Sequence, residues 1–186
     1  VITIPAFAFK GLTALRSVTI PENITYIGNY AFRGCTSIAQ VNFNATECNY
    51  MYNAFDGCTN TANVYIGDNV KVIPSNAFNH FNGLTNLTIG ESVISIGSYA
   101  FDYCSSLKKV NYNAINCAAT NGTIFNSRNY NYNDLTTVVI GDKVKTIPAK
   151  LFYVGSSHSR IKSITWGKSI EEIQEEAFYG SDMSSI

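Results

Sequence analysis

Five cysteines, two histidines and thirteen carboxylates are the side chains of this 186-residue chain equipped to cut bonds or hold metal. None falls in a pattern that such chemistry requires. Cys35, Cys58 and Cys104 each stand three residues after a Phe, in AFRGC, AFDGC and AFDYC, and the same place elsewhere carries Leu12 and Phe81. A position that accepts Cys, Leu or Phe is a core position. Cys48 and Cys117 share a second register, and no C-x-x-C spacing frames a metal or redox pair. His80 and His158 lie in different segments without HExxH, GxSxG or a P-loop around them, so both are expected on the surface. Glu22, Asp68, Glu91 and Asp142 recur at equivalent places, with Lys168 replacing one of them. One carboxylate per segment is a thin set for calcium, which takes six to eight oxygens. Glu171, Glu172, Glu175 and Glu176 imitate a paired-carboxylate site but bring no second catalytic group. With no nucleophile, base and orienter in one neighbourhood, a non-enzyme without cofactor or metal is expected.

Charge narrows the partners. Thirteen basic residues balance thirteen acidic ones, so no long-range field steers the chain to nucleic acid or to an anionic membrane. Partners held by shape and hydrogen bonds fit better. No apolar run approaches the roughly 20 residues of a membrane-spanning helix. The opening VITIPAFAFK lacks the basic start and small-residue cleavage site of a signal peptide.

The elements that would position any site come from a repeat. Phe9, Phe32, Phe55, Phe78 and Phe101 are each 23 residues apart, and Phe125, Phe152 and Phe178 continue with steps of 24, 27 and 26. After each Phe comes an apolar pair with one residue between its members, such as Val18/Ile20, Val41/Phe43, Val64/Ile66 and Val110/Tyr112. That alternation predicts a short strand with one buried face. Before the Phe comes a pair spaced by three, as in Ile24/Ile27 and Val70/Ile73, followed by Gly28, Pro74, Gly97 or Pro148. A unit this small cannot bury its apolar side alone, so units must stack and the strands become a parallel sheet. EEIQEEAF near the end has helical composition, but Ile173 and Phe178 keep the columns, so turn is predicted there. ATECNYMYNAF and AINCAATNGTIF lose the Ile/Val pair and echo each other 69 residues apart, pointing to a three-unit super-repeat. Longer loops are expected around SRNYNYND and VGSSHSR.

The series from Leu12 through Leu15 and Val18 to Ile20, followed by PENITYIGNYAFRGC, resembles a leucine-rich repeat. Within that group it is similar to the BspA-like class, whose hallmark is IG or IP, then AF, then GC, then a spaced aliphatic series ending in a strand. The resemblance implies an α/β-class solenoid, a right-handed coil with a parallel β-sheet on its concave side, short strands and turns, and little helix. About eight units over residues 1–186 form one domain, expected to be a segment of a longer chain. The family further implies a bacterial surface or secreted protein that works by adhesion or binding. The sequons at Asn23, Asn44, Asn86 and Asn121 would be accidental in such a protein.

In this geometry Cys48 and Cys117 stand three coils apart, roughly 14 Å at ~4.8 Å per strand, beyond the ~7 Å that a disulfide tolerates. Cys35 and Cys58 lie on adjacent coils, yet five is an odd count, so buried free thiols are expected throughout. The residues between and beside each inward pair point outward, placing Asn42, Tyr65, Thr88 and Asn111 in one polar column with a single aromatic. This column is the predicted ligand-binding surface for a host extracellular protein or glycan, with Tyr65 as anchor. Tyr130 and Tyr132 in the inserted loop form the rival surface. The alternative to a binding module is a spacer that carries a distant functional domain.

Overall fold

The computed structural model describes residues 2–118, 124–125, 135–153 and 161–183. Among these residues fourteen strands follow one another: β1 (Thr3–Ile4), β2 (Ser17–Ile20), β3 (Tyr26–Ile27), β4 (Gln40–Phe43), β5 (Tyr50–Met51), β6 (Asn63–Ile66) and β7 (Val72–Ile73), then β8 (Asn86–Ile89), β9 (Ser95–Ile96), β10 (Lys109–Tyr112), β11 (Thr137–Ile140), β12 (Thr146–Ile147), β13 (Ser163–Thr165) and β14 (Glu172–Ile173). No helix occurs among the described residues. The EEIQEEAF segment is β14 followed by turn.

Seven of these strands form one parallel sheet in the order β13-β11-β10-β8-β6-β4-β2. The register is set by the apolar pair. Val18, Val41, Val64, Leu87, Val110, Val138 and Ile164 pair in sequence across the sheet. A slip by one residue would turn each of these columns to solvent, which is why the register is so uniform. One hydrophobic cluster runs beneath the sheet from Val18 to Ala177.

The opposite side of each coil is stitched forward. Phe32 N–H donates to Ala54 O (2.8 Å), Phe78 N–H to Ala100 O (2.8 Å) and Phe152 N–H to Ala177 O (2.8 Å), whereas on the sheet side Asn44 N–H reaches back to Ile20 O (3.0 Å). In six coils this path takes two left-handed residues. Phe7, Tyr30, Asn53, Asn76, Tyr99, Lys150 and Glu176, each two residues before the Phe, have φ between 46° and 60°. Two residues after the Phe stand Gly11, Gly34, Gly57 and Gly180, and in their place His80 and Tyr103 at φ of 59° and 57°.

Between the two sides lies the Phe column. All eight rings stack in order, with centroid separations from 4.9 Å (Phe32–Phe55) to 6.0 Å (Phe55–Phe78). Phe9 is 40% exposed and Phe178 half-buried, because each end ring has a neighbour on one side only.

The two-residue strands form smaller parallel sheets, β1-β3-β5, β7-β9 and β12-β14. Proline explains the break between β5 and β7. Gly28 N–H donates to Ile4 O and Gly97 N–H to Ile73 O, both at 2.8 Å, whereas Pro74 at the equivalent place has no N–H to give to the β5 coil. Pro5 and Pro148 occupy the same place after β1 and β12. A side chain at Gly97 would collide with the Ser75 backbone nitrogen at 2.3 Å, so glycine follows where the coils close in. The ATECNYMYNAF coil is not irregular. Cys48 follows Phe43 by five residues, where Ile24 follows Ile20 by four, and the extra residue is recovered before Phe55. Cys48 and Met51 thereby fill the places of Ile24 and Ile27, both buried.

Candidate functional site

The predicted binding column forms as a continuous row. Thr19, Asn42, Tyr65, Thr88, Asn111, Val139 and Thr165 are successive partners across the sheet. Asn42 Nδ2 donates to Thr19 Oγ1 (3.2 Å), Asn111 Nδ2 to Thr88 Oγ1 (3.1 Å), and Gln40 Nε2 to Asn42 Oδ1 (2.9 Å). In the flanking row Asn86 Nδ2 donates to Asn63 Oδ1 (3.1 Å). These sideways bonds hold the amides flat, leaving Asn42, Thr88 and Asn111 half-buried while Tyr65 is 42% exposed. The surface is thus a pre-ordered polar sheet with one ring standing on it. Tyr130 and Tyr132 fall outside the described residues, as do His158 and Asn121.

The cysteines are core thiols. Cys35, Cys48, Cys58 and Cys104 are buried and Cys117 is half-buried, all unpaired. Cys35 Sγ donates to Phe9 O (3.0 Å), Cys58 Sγ to Phe32 O (3.2 Å) and Cys104 Sγ to Phe78 O (3.3 Å), one thiol to the Phe carbonyl of the preceding coil each time. Burial pushes the Cys58 thiol up to about 12 and Cys48 up to about 11. Such groups are poor nucleophiles and poor metal ligands.

The recurrent acids serve the coil. Asp68 Oδ1 accepts from the Glu91 N–H (3.2 Å), Lys143 grips both Glu91 oxygens (2.9 and 2.8 Å) and Lys168 meets Asp142 at 2.7 Å. Glu171 pairs with Lys145 (2.9 Å) and Glu176 with Lys150 (3.2 Å). These are exposed pairs and contribute little to stability. Among the described residues no three His, Cys, Asp or Glu side chains group as a metal site.

One cluster escaped sequence reasoning. The His80 and Tyr103 rings stack at 4.4 Å, 3° from parallel, on the turn side of adjacent coils. Beside them Asp102 is 97% buried, with Oδ1 accepting from the Tyr103 N–H at 3.0 Å, and burial pushes its carboxyl up to about 6. The available signal was the replacement of the G in the repeated GC by His80 and Tyr103.

A coil of stacked 23-residue units with a parallel sheet on one side and turns on the other is a leucine-rich-repeat solenoid. The family model for the BspA type leucine rich repeat region matches residues 2–131 and 123–186, in six copies, and the chain belongs to that family. Among solved structures it is similar to a leucine-rich repeat protein from Bacteroides ovatus ATCC 8483, with 22% identity, a TM-score of 0.44, and coverage of 100% of this chain and 58% of that one. It is also similar to a leucine rich cell surface protein from Faecalibacterium prausnitzii A2-165, with 17% identity, a TM-score of 0.28, and coverage of 96% and 74%. The pneumococcal vaccine antigen PcpA matches over 92% of this chain and 46% of its own, with 16% identity and a TM-score of 0.32. No curated protein matches the chain in sequence.

Proposed function

We propose that this chain is a non-catalytic binding module, acting outside the cell or on its surface, whose strand-bearing face recognises a host extracellular protein or glycan. The observation that carries the reading is Tyr65. A ring 42% exposed amid a row of hydrogen-bonded, half-buried Asn and Thr is poised to fill a partner's pocket or stack on a sugar. Because the flanking amides are already fixed by their own ladder, little side-chain freedom is lost on binding. The row carries no charge at its centre, which suits a neutral partner. Family membership supports the same direction, since the match is to a repeat scaffold and the Faecalibacterium relative is a cell surface protein. The spacer reading predicts no ligand for this face. Surface plasmon resonance of the whole chain over immobilised extracellular-matrix proteins and glycans tests it. Saturable binding that weakens on Tyr65→Ala supports the module, and the absence of binding across the panel refutes it.

A further inference from the structure

We propose a second site, for a neutral pyranose sugar, on the turn side at His80 and Tyr103, independent of the strand-bearing face. In the row two residues after each Phe, the coil before His80 carries Gly57 and the one before that Gly34. The coil after it carries Tyr103, whose ring covers one face of the imidazole at 4.4 Å. Glycine cannot cover the other. A Cβ built on Gly57 would meet only Gly34 atoms, at 3.6 and 3.7 Å, so nothing of His80 closes over that place. The exposed imidazole therefore presents a flat face, stiffened from behind by the phenol.

Two small cavities, each of about 230 Å³, adjoin the stack and share Tyr103 as a wall. The first is lined by His80, Asn82, Tyr103 and Ser105. Asn76, Asn79, Tyr99, Asp102 and Tyr103 line the second. Each is open and lies below the roughly 300–1,000 Å³ of sites for drug-sized ligands, so neither can enclose an extended molecule. Their chemistry is that of amides, hydroxyls and one carboxyl, with no Lys or Arg, so an anionic ligand finds no counter-charge. The buried Asp102 has its Oδ1 taken by the Tyr103 N–H, on the same wall. In the hollow that His80 itself lines, a ligand packed on the imidazole meets the Asn82 amide and the Tyr103 and Ser105 hydroxyls, so it needs an apolar flat face for the ring and hydroxyls for those groups. A pyranose has both. A nucleotide would satisfy the ring but would leave its phosphate without a cation.

Single sugars bind such open sites weakly, in the millimolar range, so saturation-transfer-difference NMR on the whole chain is the suitable reading. The probes are glucose, galactose, mannose and N-acetylglucosamine, each at millimolar concentration. The expected result is transfer to the ring protons of at least one sugar. It should fall at least about ten-fold in His80→Gly and persist in Tyr65→Ala. Gly suits the left-handed backbone there, so the variant should fold; His80→Asn, also tolerant of that backbone, supplies a second ring-free variant. Absence of transfer to all four sugars overturns the proposal. So does transfer that survives loss of the His80 ring, or that is lost equally on Tyr65→Ala, which would place the sugar on the sheet.

Discussion

Phe78 and Phe101 lie one coil apart with their rings 5.3 Å between centroids and 1° from parallel, the most closely aligned step of the Phe column. Phe78 is fully buried and also meets Phe55 and Phe81 on its flanks and Phe43 edge-on. Nothing nearby can collapse into its place without breaking the stack. Phe78→Ala should cost about 3–5 kcal/mol in chemical denaturation, the range for large aromatic truncations in cores. A loss under about 1 kcal/mol would show that the column does not hold the coils together.

A buried hydroxyl gives the opposite sign. Tyr112 takes an inward position of the sheet, pairing with Ile89 and Ile140, where its hydroxyl is buried beside Cys117 without a hydrogen bond of good geometry. Burial raises its phenol well above the ordinary range. Tyr112→Phe keeps the edge-on contact with Phe152 while removing the unpartnered oxygen. Stability should be unchanged or higher by up to about 1 kcal/mol. A clear loss on thermal melting would mean that the thiol of Cys117 is a true partner.

Four of the five thiols should be silent until the chain unfolds. Four of the five are buried, and burial holds Cys48 and Cys58 in the neutral form. Under denaturing, non-reducing conditions, mass spectrometry after alkylation should show all five modified; in the native state at pH 8 the half-buried Cys117 should react first, though more slowly than a free thiol because burial raises it as well. Fewer than five modified thiols in the denatured chain would reveal a disulfide.

The pH dependence of stability follows from the same burial. In the folded chain Asp102 holds its proton up to about pH 6, whereas a free carboxyl releases it near 3.8. Between these values the folded state binds the extra proton, so stability falls as pH rises through that window. Exposed Asp142, lowered first by its hydrogen bond with Lys168, acts the other way and loses its contribution as pH falls toward and below 3.8. Above pH 9 the raised Cys48 and Cys58 thiols again favour the unfolded chain, whose free thiols ionise there. Melting temperatures from pH 4 to pH 7 should therefore decline in the wild type and be flatter in Asp102→Asn, which keeps an oxygen for the Tyr103 N–H. Equal slopes in the two proteins would remove Asp102 as the cause.

Most of the fold was legible because it is written as a period. The inward pairs of β2 to β13 alternate strictly, and an alternating apolar pair at a fixed interval has only one way to stack. The small sheets were harder to read. Their interruption depends on Pro74 lacking an N–H in a hydrogen bond that only neighbouring coils reveal, and Cys48/Met51 do not look like Ile24/Ile27 until the one-residue shift after Phe43 is seen. On the strand-bearing face, the order of Asn42, Tyr65, Thr88 and Asn111 followed from strand alternation, but the ladder of bonds that half-buries the amides did not. The His80–Tyr103 stack was hidden because left-handed glycine positions carry no apolar signal, and a departure from Gly shows only against its copies in the other coils.

Recognition through Tyr65 and its row is the property proposed for the strand-bearing face. The measurement that bears on it most directly is the affinity of the Tyr65→Ala/Asn111→Ala double variant for a partner found in the matrix-protein and glycan panel, with melting temperature recorded alongside. Tyr65 is exposed and the one described bond of Asn111's side chain is to Thr88, so the fold should lose no more than about 1 kcal/mol. Binding should weaken by at least about ten-fold, as expected on removing an aromatic anchor. Undiminished binding by this variant, together with its loss on Tyr130→Ala/Tyr132→Ala, would move recognition away from the strand-bearing face to the segment of Tyr130 and Tyr132.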